Sequence, residues 1–339
     1  MRFNSEKKRS IVMYILEKIN EKTPSLSARV AEAFDVSTNT IHSYLNELTE
    51  DNVIRKVKRG EYELVSEEYS HTFKRSKGEI SNDTYAYDVC MRALIKDYPE
   101  NVKHIWSYAF SEMVNNVMDH SEAECLRVVI NKNFLDTRVM IIDNGVGIFE
   151  KIKNHFSLTD LDEAVCELFK GKLTTDADHH SGEGIFFTSR MMDSFFILSD
   201  GKVFTTNKYN DDLFASIEGT VAKGTGVIMS LSNHTQKKAH EIFNMFEDLD
   251  GDFSKTRIPL KNIFDSAPVS RSQAKRICNR LDNFKEAILD FADLEWMGQG
   301  FAHQLFVVYK NANPDIVLKP INMNESVTDM YNHVVGTAK

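Results

Sequence analysis

The chain has 339 residues, 42% hydrophobic and 27% charged, with 15 Gly, 6 Pro and 4 Cys. That composition belongs to an ordered protein of two or three domains and excludes whole-chain disorder, a collagen-like repeat and a disulfide framework. The net charge of -9 is uneven: residues 1–66 hold 11 of the 41 Lys+Arg and 10 of the 50 Asp+Glu, so the acidic excess lies beyond them. Only this first segment would not repel a polyanion. No run of about 18 apolar residues exists, and the opening MRFNSEKKRS lacks the apolar centre of a signal peptide. The expectation is a cytoplasmic chain with no membrane span. Cys90, Cys125, Cys166 and Cys278 would be reduced, and they are too widely spaced for a zinc site.

In chain order, Ile11, Ile15, Leu16 and Ile19 recur at helical spacing and predict a helix over 5–20, closed by Pro24. SLSARVAEAF at 25–34 is a second short helix with Leu26, Val30 and Phe34 on one face. Asp35-Val36 turns the chain, and Ser37 caps a third helix over 38–50 lined inward by Ile41, Leu45 and Leu48. VIRKVKRGEYELV reads as a hairpin about Lys58-Arg59-Gly60. The polar segment 67–85 lacks periodicity and reads as a linker. From 86 to 235 helices mix with strands at 126–133, 137–143, 194–200 and 226–232. A third unit, 240–339, reads helix 270–284, strand 286–291, helix 299–310, strand 316–321 and helix 325–335.

Three helices and a hairpin over 1–66 resemble the winged helix-turn-helix superfamily. The resemblance implies DNA binding, with the third helix in the major groove. It would present Thr38, Asn39, Thr40, His42 and Ser43 to phosphates and base edges. Lys56, Lys58 and Arg59 would sit on the wing against the DNA backbone. A winged helix used for protein contacts is the alternative.

Four segments within 86–235 carry the chemistry. In SEMVNNVMDH at 111–120, Glu112 and Asn116 are four apart and share a helix face, with Asp119 and His120 continuing the polar line. A carboxylate and an amide on a core helix are costly to bury unless they bind something. Magnesium takes oxygen ligands, including an amide oxygen, and a nearby carboxylate can orient or deprotonate a nucleophile. DNGVG at 143–147 follows an apolar strand, so Asp143 can accept from an exocyclic amine of a base while Gly145 and Gly147 admit a flat ring. In HHSGEGIFFTSRMMD, Gly182 and Gly184 precede a helix, a ready phosphate site. KGTGVIM at 223–229 is a glycine turn entering a strand.

In this order the four segments resemble the GHKL ATPases: gyrase, the Hsp90 chaperones, histidine kinases and MutL. The resemblance implies a Bergerat-type α/β sandwich binding ATP and Mg2+. Asn116 looks like the magnesium ligand, Glu112 like the general base and Asp143 like the adenine reader. Gly145 and Gly147 would flank the ring, Gly182 and Gly184 would form the phosphate turn, and Thr225 would touch the adenine region. A mobile lid would span roughly 150–181. His71 lacks the amphipathic surroundings of a phosphoacceptor helix, which argues against a histidine kinase. Asn116-Val-Met-Asp-His120 looks closer to the anti-sigma-factor serine kinases.

Residues 255–335 resemble an uncharacterised STAS-like family related to anti-sigma-factor antagonists. Ala287, Ile288, Leu289 and Phe291 would form a strand, and Phe301, Leu305, Phe306 and Tyr309 the inward face of a helix. True antagonists carry a phosphorylated Ser at the intervening turn. Here it is Met297-Gly298-Gln299-Gly300, without a hydroxyl, and close packing is its expected role.

The expected protein is therefore a multidomain α+β chain: winged helix, central ATPase-type sandwich and C-terminal STAS-like α/β domain. It would be an ATP-binding, ATP-hydrolysing regulator of transcription, with DNA bound by the winged helix, a protein partner met by the STAS-like domain, and a homodimer as its assembly. The alternative is a serine/threonine kinase of anti-sigma-factor type acting on a separate protein.

Overall fold

A computed structural model describes residues 5–173, 182–207, 223–264 and 266–337. They cluster into two compact units: 1–70 with 129–139 and 231–235, and 71–128 with 140–230 and 236–339.

The first unit holds helices α1 (Ser5–Asn20), α2 (Leu26–Phe34) and α3 (Thr38–Glu50), then strands β1 (Ile54–Lys58) and β2 (Glu61–Leu64). Ile11, Ile15, Leu16, Val30, Ile41, Leu45 and Ile54 meet in one core, as their spacing predicts. Asp35 ends α2 in the left-handed region, and the Ser37 side chain accepts from the Thr40 N–H to start α3. β1 and β2 pair antiparallel from Ile54 opposite Leu64 to Lys58 opposite Glu61. Gly60 supplies the positive φ of 79° that the turn needs.

Next comes β3 (Glu67–Lys74), which replaces the first part of the expected linker, followed by the short helix α4 (Asp83–Tyr87). The strand escaped the sequence pattern because only Phe73 is buried on it. As the outermost strand of a sheet it needs backbone pairing more than an apolar face.

α5 (Glu100–His120), β4 (Cys125–Lys132), β5 (Asp136–Asp143), α6 (Ile148–His155), α7 (Leu161–Lys170), α8 (Gly184–Met191), β6 (Ser194–Ser199), β7 (Lys202–Thr205) and β8 (Thr225–Ser232) follow. The six-stranded sheet runs β3-β4-β5-β8-β6-β7. β6 is antiparallel to both β7 and β8. α5 buries Trp106, Phe110, Met113, Val114 and Val117, a stripe at helical spacing that leaves Glu112 and Asn116 on another face.

The remainder contains α9 (Ala239–Phe246), β9 (Lys255–Pro259), α10 (Arg271–Cys278), β10 (Glu286–Asp290), α11 (Gln299–His303), β11 (Val317–Ile321) and α12 (Glu325–Thr337). β11, β10 and β9 form a parallel three-stranded sheet in that order. Ala287, Leu289, Phe291, Phe301 and Leu305 lie in its core. That core also takes in Cys166 of α7, so this region shares a helix with the segment before it. The Lys170 ammonium donates to Glu167 (2.6 Å) and to the carbonyls of Arg276 (2.9 Å) and Asn279 (2.5 Å). Arg276 pairs with Asp160, and Arg280 donates to the Lys172 carbonyl.

This corrects the expected lid over 150–181. Its described part forms α6 and α7, and α7 is buried from Ala164 through Lys170. Residues 174–181 lie outside the described residues. Among the described residues no helix is long and apolar enough to cross a membrane. Burial pushes the thiols of Cys90 and Cys166 up to about 11 and that of Cys278 up to about 12, whereas Cys125 is half-buried.

Candidate functional site

A cavity of about 260 Å³ opens beside α5, with walls from β5, α6, the end of α7, the start of α8 and β8. Glu112, Asn116 and His120 stand at successive four-residue steps of α5 and line it together. The Asn116 Nδ2 is buried without a hydrogen-bond partner among the described residues. Such an orphan costs about 1–3 kcal/mol, which a ligand oxygen would relieve.

Asp143, at the end of β5, is only 3% exposed. It accepts the Gly145 N–H at 2.8 Å, and the Thr225 N–H as well. Burial pushes its carboxyl up to about 6, against these two hydrogen bonds, which favour the ionised form. The Thr225 Oγ1 and Ser199 Oγ each accept the Ile148 N–H at 3.1 Å, and Asp200 accepts the Glu150 N–H at 3.1 Å. These three side chains fix the start of α6. Lys151 of α6 donates to the His120 carbonyl at 2.6 Å and lines the same cavity.

Six of the expected site residues line the cavity: Glu112, Asn116, Asp143, Gly182, Gly184 and Thr225. Gly182 needs its positive φ of 72° and packs on the Leu173 backbone. A side chain at Gly184 would collide with the Glu112 carboxylate, so this glycine lets α8 begin against Glu112. Gly145 and Gly147, expected beside a flat ring, flank Val146, which lines the cavity, without lining it themselves. A Cβ at 145 would strike the Ser121 carbonyl, and one at 147 the Asp200 carboxylate. Both glycines serve chain packing behind the wall.

Sequence reasoning passed over Lys151, Glu183 and Asp200. Glu183 stood in view between the two glycines of SGEG and lines the cavity. Burial, with the Glu112 and Glu183 carboxylates nearby, raises the Tyr108 phenol.

In the first unit Thr38, Asn39, His42 and Ser43 are exposed on α3, whereas Thr40 is half-buried and shares a 2.9 Å hydrogen bond with Ser37. Lys56, Lys58 and Arg59 are exposed on the hairpin, where Lys58 pairs with Glu61 at 2.9 Å. Val57 beside them is also exposed.

Residues 273–328 match the sequence model of a family described as a STAS-like domain of unknown function (DUF4325). The STAS-like domain thus takes in β10, α11 and β11. Its turn Met297–Gly300 is packed, because the Gly298 N–H donates to the Pro268 carbonyl at 2.8 Å and a Cβ there would meet Val269 at 2.7 Å. Comparison with curated proteins gives no match for the chain.

Proposed function

We propose that the chain is an ATP-binding regulator of transcription, whose nucleotide state changes its grip on DNA or on a protein partner. The observation that carries the nucleotide reading is one cavity that joins an orphaned amide, a buried carboxyl and a glycine turn opening a helix. The residues fit Mg-ATP. Asp143, when ionised, accepts from the exocyclic amine of adenine. The N-terminus of α8, where Gly182 and Gly184 line the cavity, would take the phosphates. Asn116 would supply an amide oxygen to magnesium, and its Nδ2 a donor to a phosphate oxygen. Among the described residues no three metal-ligating side chains cluster. Magnesium in nucleotide sites takes one or two protein oxygens with phosphates and water, and when bound it would neutralise phosphate charge. Glu112, beside the start of α8, would orient an attacking water and take its proton.

The exposed faces of α3 and the hairpin support DNA as partner, with Thr38, Asn39, His42 and Ser43 toward bases and Lys56, Lys58 and Arg59 toward phosphates. Thr40 is occupied by its cap.

The test is incubation with γ-labelled ATP and magnesium, separating free phosphate from labelled protein. The expected product is free phosphate, reduced about 100-fold or more in Glu112→Gln. DNA affinity that is equal with and without ATP would overturn the switch. A serine/threonine kinase acting on a separate protein is the second reading, favoured by the STAS-like match. The chain's own turn offers no hydroxyl. Label on an added partner's Ser or Thr would establish that reading instead.

A further inference from the structure

We infer that Lys151 is a phosphate-binding residue of this cavity and makes it prefer nucleotides to nucleosides; the inference rests on the nucleotide reading. Three carboxylates line the cavity, Glu112, Asp143 and Glu183, and Lys151 is the one lysine or arginine among the described lining residues. A polyphosphate entering such a wall meets repulsion that a fixed cation offsets. The Lys151 ammonium donates to the His120 carbonyl at 2.6 Å. An ammonium has three protons, so among the described residues two remain for a ligand. His120 is one turn beyond Asn116 on α5, which places the cation next to the proposed phosphate tail.

The position is built. The Ile148 and Glu150 N–H groups are held by Ser199, Thr225 and Asp200, and the Lys151 N–H bonds the Gly147 carbonyl at 3.0 Å. Phe149 and Ile152 bury the other side of α6. The backbone under Lys151 is therefore set by the same elements that hold Asp143, and little ordering is left to ligand binding.

The competing explanation is that Lys151 only caps the C-terminal end of α5, where a cation is favourable. The two differ in what they do to ligand preference. Affinities of ATP, ADP and adenosine are to be measured by calorimetry for the unaltered full chain, Lys151→Met and Lys151→Arg, with thermal melting of each ligand-free protein. Lys151→Met is expected to weaken ATP and ADP about tenfold while leaving adenosine within about twofold, and Lys151→Arg to retain most of the preference. Equal loss on all three ligands, or none on ATP, overturns the role of Lys151. Failure of the unaltered chain to bind any of the three overturns the nucleotide reading itself.

Discussion

Asp143 and Glu167 are both buried acids of the same compact unit, and they are satisfied in opposite ways. Asp143 has two backbone N–H donors, no cationic hydrogen-bond partner among the described residues, and a place in the cavity wall. Glu167, buried on α7, pairs with Lys170 one turn on, with Asn279 donating at 3.2 Å and the Arg280 guanidinium forming an ion pair at 3.6 Å. One site is left to be completed from outside. The other is complete within the fold, with all three Lys170 protons placed. A buried charge therefore points to ligand binding only where its partners run out before its bonding capacity does.

The largest effect should come from breaking the complete site. Lys170→Met leaves Glu167 buried with its nearest cation removed, and should cost about 3–5 kcal/mol in urea unfolding. Adding Glu167→Leu should recover most of that loss, since a well-packed apolar pair replaces buried ions at little cost. A single variant within about 1 kcal/mol of the original would erase the contrast.

The incomplete site should show itself in pH. Burial raises the Asp143 carboxyl to about 6 from 3.8, so between those values the folded chain binds more protons than the unfolded one. Stability contributed here therefore falls as pH rises from about 4 to 6, and Asp143→Asn should remove that slope. Binding runs the other way. ATP affinity should fall by up to about tenfold from pH 7 to pH 5, because only the ionised carboxylate is a full acceptor for the adenine amine. The same titration with Asp143→Asn should be flatter.

The smallest effect marks the baseline. Lys153 and Glu150 pair at 2.8 Å on the outer face of α6, both partly open to solvent. Lys153→Ala should cost under about 0.5 kcal/mol in thermal or urea unfolding, because water screens the pair. A larger loss would mean that accessibility does not separate these sites.

Apolar periodicity made most of the fold legible: the stripes of α1, α3 and α5 and the runs of β4, β5, β6 and β8 are written in Ile, Val, Leu and Phe. β3, β7 and β9 were missed because they are short or largely exposed, and β9 ends in Pro259. The shared core at α7 was illegible because Cys166, Glu167 and Lys170 find their partners more than 100 residues away. At the site, residues inside short motifs were visible. Lys151 and Asp200 act by reaching across turns, and no local pattern announces that. The glycines were found, but part of their purpose was not: Gly145 and Gly147 make room for Ser121 and Asp200.

The uneven burial of the thiols gives the molecule a natural attachment point. Three of its four cysteines are buried with their ionisation suppressed, so alkylating reagents meet them slowly in the folded state. Cys125 is half-buried, and its N–H is held at 2.9 Å by Asn144, the residue after Asp143. A maleimide dye added to the unaltered protein should settle there first. It would sit next to the turn from which Asp143 and Val146 line the cavity, a reporter of ligand entry that requires no engineered residue.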